Sequence, residues 1–381
     1  MNRHFAPLWV TVLLLLLAAC APSVYDVPYP VRPVVLPADD AAHDAPLEWW
    51  YYTGHLSTKA GDDLGFELTF FKAFLPPSIE LFGTYPLYNT IDRGHVGHFA
   101  LSDNRAKSFT AGQRSDFLVY EGSASKEDLN VKVANWWVRR ADDGVSHRLH
   151  ASENGVTLDL TLTPEKPAAL HGNPPGIQSM GPGGTSYYVS YTRMNATGTL
   201  TRNCSFLGLG CETLEVTGKA WSDHQWGDFD VSSYAGWDWF SVQFEDDTEL
   251  MLYFIRAPDG TYLTEAGSFI TKDGRTLPLE DEDITLTELG ETWTSPATGA
   301  IYPMRWRVQV PKHGLEVTVT PTFSEQEMDT RASTGIVYWE GAVRVAGSRQ
   351  GVGYVELTNY DRYPYGKTGP DTPLQPMRGP F

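Results

Sequence analysis

From residue 45 onward apolar and polar positions alternate with period two, and spacing of helical type is nearly absent. Short antiparallel strands are therefore predicted. The first pair is Glu48 to Leu56 and Leu64 to Ala73, joined by a turn through Lys59-Ala-Gly-Asp-Asp63. Further strands are predicted over 95–102, 117–122, 131–139, 146–151, 156–163, 186–194 and 213–226. Residues 74–94, which include Pro76-Pro77, read as a long loop of lid or rim type, and the Pro- and Gly-rich stretch 165–185 is a second interruption.

The second half repeats this design. Trp237 to Phe244, a turn at Glu245-Asp-Asp247, and Glu249 to Arg256 mirror the opening hairpin, aromatic pair included. Strands are then predicted near 261–271, 284–294, 302–310, 314–321, 336–346 and 351–359, with turn signals at Asp259-Gly260, Asp273-Gly274 and His313-Gly314. The pattern predicts an all-β fold of two antiparallel barrels in tandem, meeting near residues 226–236. Barrels of about eight to ten strands enclose a cavity of small-ligand size.

Residues 215–244 carry the densest chemistry. Alternation puts Trp221, Asp223 and Gln225 on one strand face and Ser222, His224 and Trp226 on the other. In the next strand Trp237, Trp239 and Ser241 share a face. Four indoles so close together form a wide apolar wall, which serves either as core or as the lining of a pocket for a flat, polyene-like ligand.

Composition narrows the partners. The chain is 13% aromatic, with 35 Gly and 26 Pro, which suits an all-β protein. Its net charge of −18 argues against nucleic-acid binding and against electrostatic adhesion to anionic lipid. At the start, Arg3 and His4 precede an apolar run from Leu8 to Leu17 and the sequence Leu17-Ala-Ala-Cys20. That order is expected of a signal peptide ending in a bacterial lipobox, with Cys20 as the lipidated residue, the anchor to the membrane. With no Asp after Cys20, the outer membrane facing the periplasm is the expected site. Cys204 and Cys211 remain as an even pair across a short loop and are expected to form a disulfide in that oxidising compartment, with two free thiols as the alternative. No Cys/His group has zinc spacing and no phosphate-binding Gly loop occurs, so no metal and no cofactor is expected. The expected divisions are a leader 1–20, a Pro-rich tether 21–44, barrels over 45–230 and 231–365, and a tail 366–381.

Taken together, Glu48-Trp-Trp-Tyr, Gly97-His-Phe-Ala, Tyr187-Tyr-Val-Ser-Tyr-Thr-Arg-Met with Gly198, and Trp221-Ser-Asp-His-Gln-Trp-Gly resemble the family of carotenoid 1,2-hydratases and AttH-like secreted lipoproteins over roughly residues 45–360. The resemblance implies two lipocalin-like barrels with a hydrophobic cavity near their junction. It also implies either hydratase-type chemistry on a hydrophobic small molecule or a carrier role beside an ABC-type export system. In the hydratases the His-x-Trp pair works with a carboxylate on the strand that here reads Leu250 to Arg256; that strand has no acid, and Tyr253 is its only polar inward candidate.

Adding water to an alkene needs a proton donor, a wall that tolerates a cation, and a placed water. The candidates for acid–base work are His224, Glu48, Asp223 and Tyr253. Glu48 shares a face with Trp50 and Tyr52 and is expected to meet His224 across the barrel mouth, whereas Asp223 points away from His224 and equally suits a buried acceptor. Trp49, Trp50, Trp226, Trp237, Trp239 and Arg193 are the candidates for ligand contact; each indole has core packing, and Arg193 a buried ion pair, as its ordinary alternative.

Overall fold

Alternation is realised as two large antiparallel sheets. The computed structural model describes residues 32–74, 80–81, 85–86, 93–116, 122–203, 210–367 and 372–374. Residues from Pro33 onward form one compact unit. The first sheet runs, in spatial order, Ser108–Ser115, Arg93–Asp103, Asp63–Phe74, Leu47–Thr58, Glu212–Phe229, Gly184–Arg202, Val156–Pro164, His147–Glu153, Trp136–Arg140, Asn130–Val133 and Gly122–Ala124. It curls into a nearly closed barrel. The second, a half-barrel, runs Thr276–Leu279, Tyr262–Ile270, Glu249–Arg256, Gly236–Phe244, Gly351–Thr358, Val337–Gly347, Leu315–Pro321, Trp306–Val310 and Thr285–Glu288. All strands of the first sheet lie before residue 230 and all strands of the second after 235, so the expected tandem barrels are present.

Each sheet has an apolar inner face. Trp50, Tyr52, Phe66, Leu68, Phe70 and Trp136 fill the first barrel. Phe240, Leu252, Phe254, Trp306, Trp339 and Val355 fill the second. The intervening positions do not face water, because the outer faces of the two sheets pack on each other around Tyr51, Tyr188, Trp221, Trp239, Tyr253 and Tyr354. Close approach is built into the sequence at Gly65, where an added Cβ would lie 2.3 Å from the Tyr354 hydroxyl. Polar groups seal the contact. His55 Nε2 lies 2.9 Å from the carbonyl of Gly353, and Gln243 donates to the carbonyls of Thr192 and Ala220 at 2.8 and 2.9 Å.

Two expectations change. Residues 33–44, assigned to a tether, pack against the first barrel: the amide of Ala42 donates to the carbonyl of Ser125 at 2.8 Å and the indole of Trp50 to the carbonyl of Asp40 at 3.0 Å. The strand Ser108–Ser115 was missed because its polar composition, SFTAGQRS, carries no apolar face. The loop 74–94, Cys20 and Cys204 fall largely or wholly outside the described residues; Cys211 is disulfide-bonded.

Candidate functional site

Register across four strands assembles the site. Glu48 lies opposite Lys72 on one neighbour and Trp226 on the other, and Trp226 lies opposite Tyr187. One step along, Trp50 lies opposite Phe70 and His224, and His224 opposite Val189. Both rows point into the first barrel. His224 and Glu48 are therefore diagonal neighbours on adjacent strands, not partners across the mouth, and His224 Nε2 lies 2.9 Å from Glu48 Oε1.

The packed N-terminal segment completes this group. His43 Nδ1 lies 2.8 Å from Glu48 Oε1, and its backbone amide donates to the same carboxylate at 3.0 Å. Lys72 Nζ pairs with Glu48 Oε2 at 2.5 Å and also donates to the carbonyl of His43. The His43 ring stacks on Trp226 at 4.0 Å, and Trp226 stacks on Tyr187 at 5.0 Å. His224 stands between Trp50 and Trp226, with ring centroids 4.8 and 4.6 Å away.

Burial would raise the pKa of Glu48, but hydrogen bonds from His224 and His43 and the nearby Lys72 ammonium outweigh it and hold the carboxyl well below the ordinary range. Glu48 is thus an anion and not a proton donor. Burial pushes His224 down, against the opposing pull of Glu48. Since an ionised carboxylate only accepts, the His224 proton resides on Nε2, leaving Nδ1 as a lone pair. Nδ1 has no partner among the described residues. His224 helps to line a pocket with Asp40, Trp50, Tyr52, His147, Tyr191 and Ser222 among others. The pocket has room for about one water. His147 Nε2 is the other unpartnered imidazole nitrogen at this pocket; burial pushes His147 down to about 4.

The remaining candidates direct their polar groups elsewhere, although Asp223 also helps to line this pocket. Asp223 faces the inter-sheet contact, where it accepts from Tyr188 and Trp221 at 2.6 Å each and from Ser190. Burial pushes it up to about 6 despite those donors. The Tyr253 hydroxyl donates to the carbonyl of Ser179 at 2.6 Å and receives Gln178, so its proton is committed. Arg193 is committed too: it pairs with Glu249 at 2.5 Å and donates to the carbonyl of Phe244, joining the two sheets. Trp239 donates to the Tyr188 hydroxyl at 2.9 Å in the contact, with Trp49 and Trp237 half-buried at its margin. The expected pocket residues fall in two places, the interior of the first barrel and the contact between sheets.

This geometry can be set beside known proteins. The AttH-like family model matches residues 27–360. The chain belongs to the AttH-like family. Its fold matches an AttH-like protein from Nitrosomonas europaea at TM-score 0.76 and 32% identity, covering 88% of this chain and 99% of that one. It also matches kievitone hydratase from Nectria haematococca at TM-score 0.64 and 16% identity, covering 86% and 94%. CghA bound to Sch210972 follows at TM-score 0.51 and 13% identity, covering 87% and 95%. No curated protein matches the chain.

Among the described residues of this AttH-like chain one group could hold a metal: the ligand atoms of His43, Glu48 and His224 lie within 4.8 Å of one another. An ion there would displace two hydrogen bonds to Glu48 and sit beside the Lys72 ammonium, so the group is better satisfied as a hydrogen-bonded network. Sequence reading missed His43, Lys72, Asp40 and His147. Lys72 was the most findable, as a lone cation facing an otherwise apolar strand side with Phe66, Leu68 and Phe70.

Proposed function

We propose that this protein is a lipid-anchored protein of the bacterial cell envelope that takes an isoprenoid-, polyene- or lipid-like substrate and performs acid–base chemistry of the hydratase type, with His224 as the base toward water. One observation carries the reading: Glu48 fixes the His224 proton on Nε2, while Nδ1 has no partner among the described residues and His224 lines a pocket of one-water size. The arrangement follows the logic of a carboxylate-oriented imidazole. His224 Nδ1 takes a proton from water as the oxygen bonds to one alkene carbon, and the imidazolium returns that proton to the neighbouring carbon, so water is added with no further donor; Trp50 and Trp226 supply π faces beside the developing charge. The kinship in fold with a hydratase is consistent with this chemistry. Incubating the purified protein with a panel of unsaturated isoprenoids in heavy-oxygen water tests it. The wild type should yield products one labelled oxygen heavier, and His224→Ala should yield none.

A second reading, a carrier or accessory lipoprotein of an export system, is favoured by one fact: the Tyr253 proton is committed to Ser179, so the strand Glu249–Arg256 offers no free acid. Under that reading an apolar molecule copurifies and no oxygen is incorporated by any variant.

A further inference from the structure

Two imidazoles line the pocket inside the first barrel, His224 and His147, and they are 7% and 2% exposed. They come from strands well apart in the sheet order, Glu212–Phe229 and His147–Glu153, and the curl of the barrel brings them near enough to act on each other electrostatically. His147 shares its strand face with Leu149 and Ala151, which belong to the interior core. Each ring has one nitrogen committed, His224 Nε2 to Glu48 and His147 Nδ1 to Tyr52. The other nitrogen of each, His224 Nδ1 and His147 Nε2, has no partner among the described residues.

The two free nitrogens are of opposite kind. Burial pushes His147 down to about 4, so at neutral pH its ring is uncharged and carries one proton. Tyr52 decides where that proton sits. Its hydroxyl lies 3.0 Å from His147 Nδ1, and burial keeps the phenol protonated. A phenol that accepted from Nδ1 would leave its own proton buried without an acceptor, so Tyr52 donates and the His147 proton is on Nε2. Edge-to-face contacts with Tyr52 and Tyr191, at centroid distances of 5.9 and 5.2 Å, hold the ring in place. His224 is the complement, with Nδ1 an acceptor. The carboxylates at the pocket already have donors: Asp40 is paired with Arg140 at 2.8 Å, and Asp223 accepts from Tyr188 and Trp221.

We propose that His147 and His224 hold one water between them, the Nε2–H of His147 donating to its oxygen and one of its O–H groups donating to His224 Nδ1, with Tyr52 as the positioning residue that sets the His147 tautomer. A buried water needs at least two polar partners and about one probe sphere of room, and the pocket supplies both. The catalytic use of this water rests on the hydration reading above and adds a group that fixes the oxygen. With one lone pair held by His147, the other is free to bond to an alkene carbon as the O–H proton passes to His224 Nδ1. His147 keeps its own proton throughout, so the balance of water addition is unchanged.

Nitrogen and proton NMR of the whole chain with labelled histidine reads this contact in the resting protein. At neutral pH His147 should be an uncharged ring with its proton on Nε2, and that proton should show a dipolar cross-peak to water. His147→Leu removes the donor and should move the His224 Nδ1 resonance toward that of a nitrogen without a hydrogen bond, whereas His147→Gln, whose amide still donates, should restore it. Tyr52→Phe should shift part of the His147 proton to Nδ1. In the heavy-oxygen assay His147→Leu should lower kcat on the order of tenfold to a hundredfold with KM little changed, and His147→Gln should recover most of the loss. A wild-type His147 proton on Nδ1, no cross-peak to water, or a His224 Nδ1 resonance equal in wild type and His147→Leu overturns the proposal. A wild type that shows the water contact yet incorporates no labelled oxygen defeats the hydration reading and leaves the contact standing, so the two failures are told apart.

Discussion

His224 Nε2 and Glu48 Oε1 are 2.9 Å apart on adjacent strands, and this contact fixes which imidazole nitrogen is free. The rest of the site serves that contact. Lys72 and His43 keep Glu48 ionised, and the packed segment before residue 45 keeps water from the carboxylate.

Breaking the Glu48–Lys72 pair from one side leaves an uncompensated buried charge. Glu48→Gln and Lys72→Met should each lower stability by about 3 to 5 kcal/mol in urea unfolding. The double variant should lose less than the sum by about 0.5 to 3 kcal/mol. Strict additivity would mean that the two side chains do not interact.

Acid should expose His147. Its folded value, about 4, lies below the unfolded value of about 6.5. Between those values the unfolded chain binds a proton that the folded chain refuses, so this contribution is complete above about pH 6.5 and is lost as pH falls toward 4. His147→Gln should flatten the decline in melting temperature over that window. An unchanged slope would mean that His147 titrates normally.

Much of this arrangement was legible in the sequence. Period two correctly placed Glu48, Trp50 and Tyr52 on one face, put His224 with Trp226, and turned Asp223 away from both. Register was not legible, so the partner strand of Glu48 and the role of Lys72 could not be read. Glu67 and Glu340, buried at the contact between the sheets, escaped notice for a different reason. Alternating polar residues read as a solvent-facing side, and only the packing of one sheet on another reveals that the side is covered. His43 and Asp40 lie in a segment without periodicity, whose order comes from hydrogen bonds to the barrel and not from an apolar stripe.

Arg193 should matter for the joining of the two sheets and not for ligand binding. Arg193→Ala leaves the buried Glu249 with Lys166 as its one remaining cation among the described residues, and a loss on the order of 3 kcal/mol is expected in thermal or urea unfolding. Ligand affinity of the folded variant should be unchanged; a selective loss of affinity at wild-type stability would return Arg193 to the binding residues.

The proposed lipid anchor takes Leu17-Ala-Ala-Cys20 as a lipobox and so predicts acylation of Cys20. Cys20→Ala should accumulate uncleaved precursor that takes up no labelled fatty acid. Normal labelling of that variant would remove the anchor from the account.

The most direct measurement of the central claim is nitrogen NMR of the His224 imidazole in the intact protein at neutral pH. A neutral ring protonated on Nε2, with Nδ1 a bare lone pair, is the predicted state, and Glu48→Gln should shift its tautomer balance. A doubly protonated ring, or a proton on Nδ1, would leave His224 without a lone pair for water and would contradict its assignment as the base.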